Sequence, residues 1–123
     1  MRGRRLVLAL LVAVLVLGEA SVALADTFVV RAVSTSNGWR WRDASGDKHT
    51  YIDPGDHIRW RNPTTQTHNV RAYGGNWSYS RTLSPGDSVR RQFNNPGNYR
   101  YRCTIHSSLV AGRCSGQCGV VHV

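Results

Sequence analysis

The sequence predicts an all-β domain, a sandwich or barrel of about eight short strands. Three observations point there. Apolar and polar residues alternate with period two along most of the chain. Nowhere beyond the first residues does a stretch of ten or more carry helical spacing. Pro-Gly pairs punctuate the pattern in DPGD (Asp53 to Asp56), SPGD (Ser84 to Asp87) and NNPGN (Asn94 to Asn98). In each, Pro fixes φ at one corner of a turn and Gly accepts positive φ at the next.

Taken in order, residues 1–25 read as a secretory leader. MRGRR is a cationic head, Leu6 to Leu17 is an apolar run of 12 residues, and Ala23-Leu24-Ala25 has the small-x-small form of a cleavage site. The run is shorter than the roughly 20 residues that span a bilayer, so no transmembrane anchor is expected after processing. Residues 26–123 are then one domain with a single modest core. The candidate strands are Thr27 to Val33, Trp39 to Arg42, His49 to Ile52, His57 to Arg61, His68 to Tyr73, Ser88 to Phe93, Asn98 to Cys103 and Gly119 to Val123. Alternation sets their faces. Ile58 and Trp60 oppose His57, Arg59 and Arg61, while Tyr99, Tyr101 and Cys103 oppose Arg100 and Arg102. Arg91 breaks the rule by sharing a face with Val89 and Phe93, which predicts a bulge or an edge position there.

Of the 16 basic and 7 acidic residues, three basic and one acidic fall in the leader, which leaves a formal charge of +7. That field favours anionic partners. It does not favour acid/base catalysis, because the remaining carboxylates sit mostly at turns. No Ser/His/Asp set, no paired carboxylates and no phosphate-cradling loop is present, so an enzyme is not expected.

The unusual segment is CTIHSSLVAGRCSGQCG, Cys103 to Gly119, which holds all 3 cysteines. An oxidising compartment pairs thiols, and an odd number leaves one over. The remaining sulfur pairs between molecules, lies buried and inert, or binds a metal. Cys114 and Cys118 flank Ser-Gly-Gln and close a small disulfide ring if their Cα atoms approach to about 6 Å. Such a ring contributes roughly 2 kcal/mol, mainly by stiffening the loop. That pairing leaves Cys103, with His106 three residues on in CTIH, and His68 in NPTTQTHNV offers a second imidazole. A thiolate with imidazoles suits copper.

Together, DPGDHIRWRN, then THNV, then YRYRCTIH resemble the cupredoxins, the plastocyanin and azurin relatives that hold one type 1 copper ion. The resemblance spans nearly all of Thr27 to Val123 and implies a Greek-key β-sandwich. His68 matches that family's upstream histidine, Cys103 its thiolate and His106 its downstream histidine. The departure is axial. The family most often has methionine there, but Met1 is the only methionine and lies in the leader. Gln117 stands just before the last strand, and an amide oxygen is a substitute for methionine in blue-copper sites. This resembles the stellacyanin-type arrangement, although ten residues separate His106 from Gln117, a longer interval than in plastocyanin.

The resemblance implies a small exported monomer, periplasmic or extracellular, that passes single electrons between redox partner proteins with acidic docking surfaces. A copper carrier or store would use the same ligands. A third reading is a basic, metal-free sandwich that binds envelope polyanions, suggested by Trp39-Arg40-Trp41-Arg42. The simpler account of that strip turns the tryptophans to the core and the arginines to water, with no specific nucleic acid bound. Cys118 with His122 is a rival sulfur-imidazole pair, which would send Cys103 to Cys114. A zinc site would need Cys114 or Cys118 free as a fourth ligand. His49 and His57 read as solvated surface residues.

Overall fold

The computed structural model describes residues 12–18 and 24–123. Most of the expected leader, residues 1–11 and 19–23, lies outside the described residues. Residues 12–18 are exposed and carry no regular secondary structure. Among the described residues no helix is long and apolar enough to cross a membrane.

Nine strands form two sheets: β1 (Thr27–Thr35), β2 (Gly38–Asp43), β3 (His49–Tyr51), β4 (His57–Arg61), β5 (His68–Tyr73), β6 (Ser80–Leu83), β7 (Ser88–Gln92), β8 (Asn98–Val110) and β9 (Arg113–His122). One sheet runs β2-β1-β4-β7 and the other β3-β9-β8-β5-β6. The β1–β4 and β3–β9 pairs are parallel, and the other pairs are antiparallel. Inward side chains of both sheets meet in one core, where Trp41, Trp60, Tyr101 and Cys103 are fully buried. At about 25 cal/mol per Å2, burying roughly 200 Å2 of tryptophan contributes about 5 kcal/mol each before chain entropy is counted.

The turns follow their sequences. Gly55 and Gly86 have φ of 97° and 87°. In each turn the following aspartate caps the corner: Asp53 N–H donates to Asp56 Oδ2 at 2.9 Å, and Ser84 N–H donates to Asp87 Oδ2 at 2.9 Å. Two carboxylates are thereby committed to holding backbone.

Two elements differ from the sequence expectation. β6 was not among the expected strands, because SRTL has one inward apolar residue, Leu83, and sits at a sheet edge where alternation is weak. The Gly/Ser-rich segment after Cys103, expected to be a flexible loop, instead extends β8 and β9 into a hairpin in which Val110 pairs with Arg113. Its two-residue turn places Ala111 at φ 51° and Gly112 at φ 74°, the positive values such hairpins need. The hairpin tip is exposed on both faces, so no amphipathic signal marks it. Arg91 resolves as an edge rather than a bulge. β7 pairs with β4 in unbroken register, and the Arg91 guanidinium lies 5.0 Å from the Trp77 ring centroid and 5.4 Å from that of Phe93.

On the outer face of the four-stranded sheet, Arg31 pairs with both Arg42 and Arg61, and Arg59 pairs with Arg90. Arginines thus stand side by side on adjacent strands, about 4.8 Å apart, and no aspartate occupies an outward position among them. Like charges directly opposite are mildly destabilising. The simpler account of Trp39-Arg40-Trp41-Arg42 therefore holds at Trp41, which is buried, while Trp39 is half-buried.

Candidate metal centre

The site forms where β5 begins and where the β8–β9 ladder breaks. Arg102 pairs with Cys118, but the next pair is Ser107 with Gly116. Four residues, Cys103 to His106, therefore oppose Gln117 alone. The excess chain bulges outward and brings His106 back over Cys103, with His106 Nδ1 3.5 Å from Cys103 Sγ.

His68, Cys103 and His106 converge, and their donor atoms all lie within 4.8 Å of one another. His68 and Cys103 are 0 % exposed, His106 is half-buried, and the Cys103 thiol is free. Gln117 is also 0 % exposed, with its Oε1 3.0 Å from His68 Nδ1. It is no ordinary loop amide, and its buried Nε2 has no hydrogen-bond partner.

Supporting residues fix these groups. Thr64 Oγ1 lies 2.6 Å from Asn62 Oδ1, a contact that takes the hydroxyl proton, and 2.9 Å from His68 Nε2. The hydroxyl oxygen therefore accepts from His68 Nε2–H, which leaves the Nδ1 lone pair aimed at Gln117 Oε1. That nitrogen is within hydrogen-bond distance of the Gln117 amide, which can present either its oxygen or its NH2 to it. Asn69, next to His68, accepts from Thr104 N–H at 2.8 Å and donates to Thr104 Oγ1 at 2.7 Å, which clamps β5 to β8. The Asn69 backbone N–H points at Cys103 Sγ at 3.4 Å. Trp39 packs its ring 5.0 Å from His68 and 5.9 Å from His106, and Trp41 lies 6.0 Å from His68.

A disulfide joins Cys114 to Cys118 with Cα atoms 6.2 Å apart. Four steps of extended strand would cover about 13 Å, so β9 must fold on itself. It does so at Gly116, where φ is 101° and a Cβ would come within 2.5 Å of the His106 carbonyl oxygen. The ring thus fixes the backbone that carries Gln117. With Cys118 bonded to Cys114 and Cys103 unbridged, the Cys118–His122 pair and the Cys103–Cys114 bridge are both overturned, and neither cysteine of the ring is left as a zinc ligand. His49 is not simply solvated, since its Nδ1 contacts His122 Nε2 at 2.9 Å.

Sequence reasoning missed Trp39, Thr64, Asn69 and Gly116. Trp39 shares a strand face with Trp41, and Asn69 adjoins His68, but neither position signals its partner across the fold.

Burial holds the His68 imidazole below its ordinary value of 6.5, the Gln117 contact pulls upward, and the charge of His106 lowers it further. His122 is lowered by burial, His49 and Arg100. Below 6.5 the unfolded chain binds protons at these positions that the folded chain resists, so stability falls as pH drops from 6.5 toward the lower folded values. The urea midpoint of metal-free protein is expected to fall between about pH 7.5 and about pH 5.5, and a flat midpoint would contradict this account.

No family description and no curated protein matches the chain. Solved structures do. A methionine-to-glutamine variant of amicyanin in its Cu(I) form is 20% identical, with 79% of this chain and 81% of that chain covered and a TM-score of 0.57. A reduced Cu(I) form of a proline-to-glycine amicyanin variant gives 21% identity, 85% and 87% coverage and a TM-score of 0.59. A purple cupredoxin from Nitrosopumilus maritimus gives 18% identity, 80% and 98% coverage and a TM-score of 0.55. With its two sheets, its helix-free described chain and these structural neighbours, the protein has the cupredoxin fold.

Proposed function

We propose that this chain is an exported type 1 copper protein, acting as an electron carrier rather than an enzyme. His68, Cys103 and His106 hold one copper ion and Gln117 supplies the axial oxygen. One observation carries the reading: a free buried thiol and two imidazoles from separated segments converge with their donor atoms within 4.8 Å of one another. The donor set fits the metal, because two imidazoles and a thiolate with a weak axial oxygen suit copper. Gln117, fully buried with its amide 3.0 Å from His68 Nδ1, stands close enough to the cluster to add the oxygen.

Bound copper would supply a one-electron redox couple. The chain supplies a rigid setting. The Asn69 clamp, the Asn62–Thr64 support and the disulfide ring hold the donors so that little has to move between oxidation states, and the Asn69 N–H directed at the sulfur tunes the potential. Residues 26–123 form the copper-binding domain, released from a leader at 1–25 and active as a monomer in the periplasm or outside the cell. Its positive charge suits redox partner proteins with acidic docking surfaces.

Voltammetry of the copper-loaded protein tests this reading. A reversible one-electron wave is expected, with metal retained through repeated cycling beside a chelator. Loss of copper on each reduction would indicate a carrier or store. Gln117→Met replaces a hard donor by a softer one and is expected to raise the reduction potential. An unmoved potential would remove Gln117 from the axial position.

A further inference from the structure

A pair of histidines, His49 and His122, lies on the outer face of the five-stranded sheet, away from the site above. Along β9, Gln117 and His122 are separated by about 16 Å of extended chain. At its far end Tyr51 pairs with His122 and His49 pairs with Val120, which sets the two histidines diagonally on one face. Their rings are close to coplanar, with an interplanar angle of 26° and centroids 5.1 Å apart. The contact is therefore edge to edge, His49 Nδ1 to His122 Nε2 at 2.9 Å.

The tautomers follow from the neighbours. Asn98, opposite His122 on β8, accepts from His122 Nδ1–H through Oδ1 at 2.7 Å. His122 Nε2 is then a lone-pair donor, and His49 Nδ1–H points into it. Tyr51 stacks on a face of the His122 ring at 4.5 Å and 11° and fixes its orientation. This is the support that ligating histidines receive from a carbonyl on their remote nitrogen. Moving the His49 proton from Nδ1 to Nε2 leaves the ring neutral and turns a second lone pair into the same gap.

We propose that His49 and His122 form a second metal site, a half-exposed clamp for a divalent cation of the zinc or cupric class. Imidazole selects this class over magnesium and calcium, which prefer oxygen ligands. Two imidazole nitrogens on one tetrahedral zinc ion lie about 3.3 Å apart, given bonds of roughly 2.0–2.1 Å. The pair has to open by a few tenths of an ångström, and His49, half-buried on the edge strand β3, allows that. Water fills the remaining positions, so the ion exchanges freely. Of the charged neighbours, Arg100 opposes a cation and the Asp47 carboxylate, which accepts from His49 N–H at 3.0 Å, favours one. The inference does not depend on copper at the other site.

The test is a titration of the purified protein with Zn2+ alone, read by residue-resolved histidine ring resonances in NMR. His49 and His122 are expected to move together along one saturation curve, while any zinc at the other site reads separately at His68 and His106. His122→Gln should abolish the response at His49. Asn98→Ala should weaken zinc binding about tenfold, and Asn98→Asp, which keeps the acceptor, should restore it. Rings unmoved by millimolar Zn2+, or a His49 response unchanged by His122→Gln, would overturn the proposal.

Discussion

Replacing Cys103 by serine is expected to abolish the intense visible absorption that the proposed copper site predicts for the parent protein with cupric ion. A copper–thiolate bond in a trigonal site is strongly coloured, and Cys103 is the one free thiol among the described residues. The change is nearly isosteric, so the sandwich should survive, and far-UV circular dichroism checks that it does. Copper affinity should fall steeply as well, because the soft anionic donor becomes a neutral hydroxyl. Colour that persists in Cys103→Ser would falsify the copper assignment.

Gly119→Ala is expected to be strongly destabilising. Gly119 is the cross-strand partner of Tyr101, whose ring occupies the place a Gly119 Cβ would take. A Cβ there would sit inside the van der Waals envelope of the Tyr101 ring, whose residue is 0 % exposed and packs T-shaped against Trp60 at 5.2 Å. Overpacking of this kind costs about 3 kcal/mol, a large share of the stability of a small domain. Chemical denaturation should show it as a lower midpoint with little change in slope. Tyr101→Phe gives a useful second background, since removing the hydroxyl relieves only part of the overlap.

The sandwich was legible because its strands obey a two-residue rule that composition reports directly. The TTQTHNV and CTIH segments could be matched to a ligand set because histidine and cysteine announce their chemistry by type. The hairpin Ser107 to Gly116 was not legible, since a strand pair wet on both faces leaves no alternation to read. Nor was the bulge that turns His106 toward Cys103, because a register break is a relation between two strands and neither carries it alone. Gln117 was placed by its distance from the last strand, yet its burial depends on the kink at Gly116, and that kink depends on the close approach of the His106 carbonyl. His49 and His122 are separated by 73 residues and meet only through the parallel β3–β9 pairing.

For the proposed copper protein, the bond between Cys114 and Cys118 would also favour one order of assembly. Before it forms, a passing soft metal finds three sulfur atoms within one short stretch and could be captured by the wrong two. Once it forms, the competitors are withdrawn and only Cys103 remains to bid for the ion. Oxidation ahead of metal loading would thus act as a form of selectivity, set by chronology rather than by the shape of the finished site.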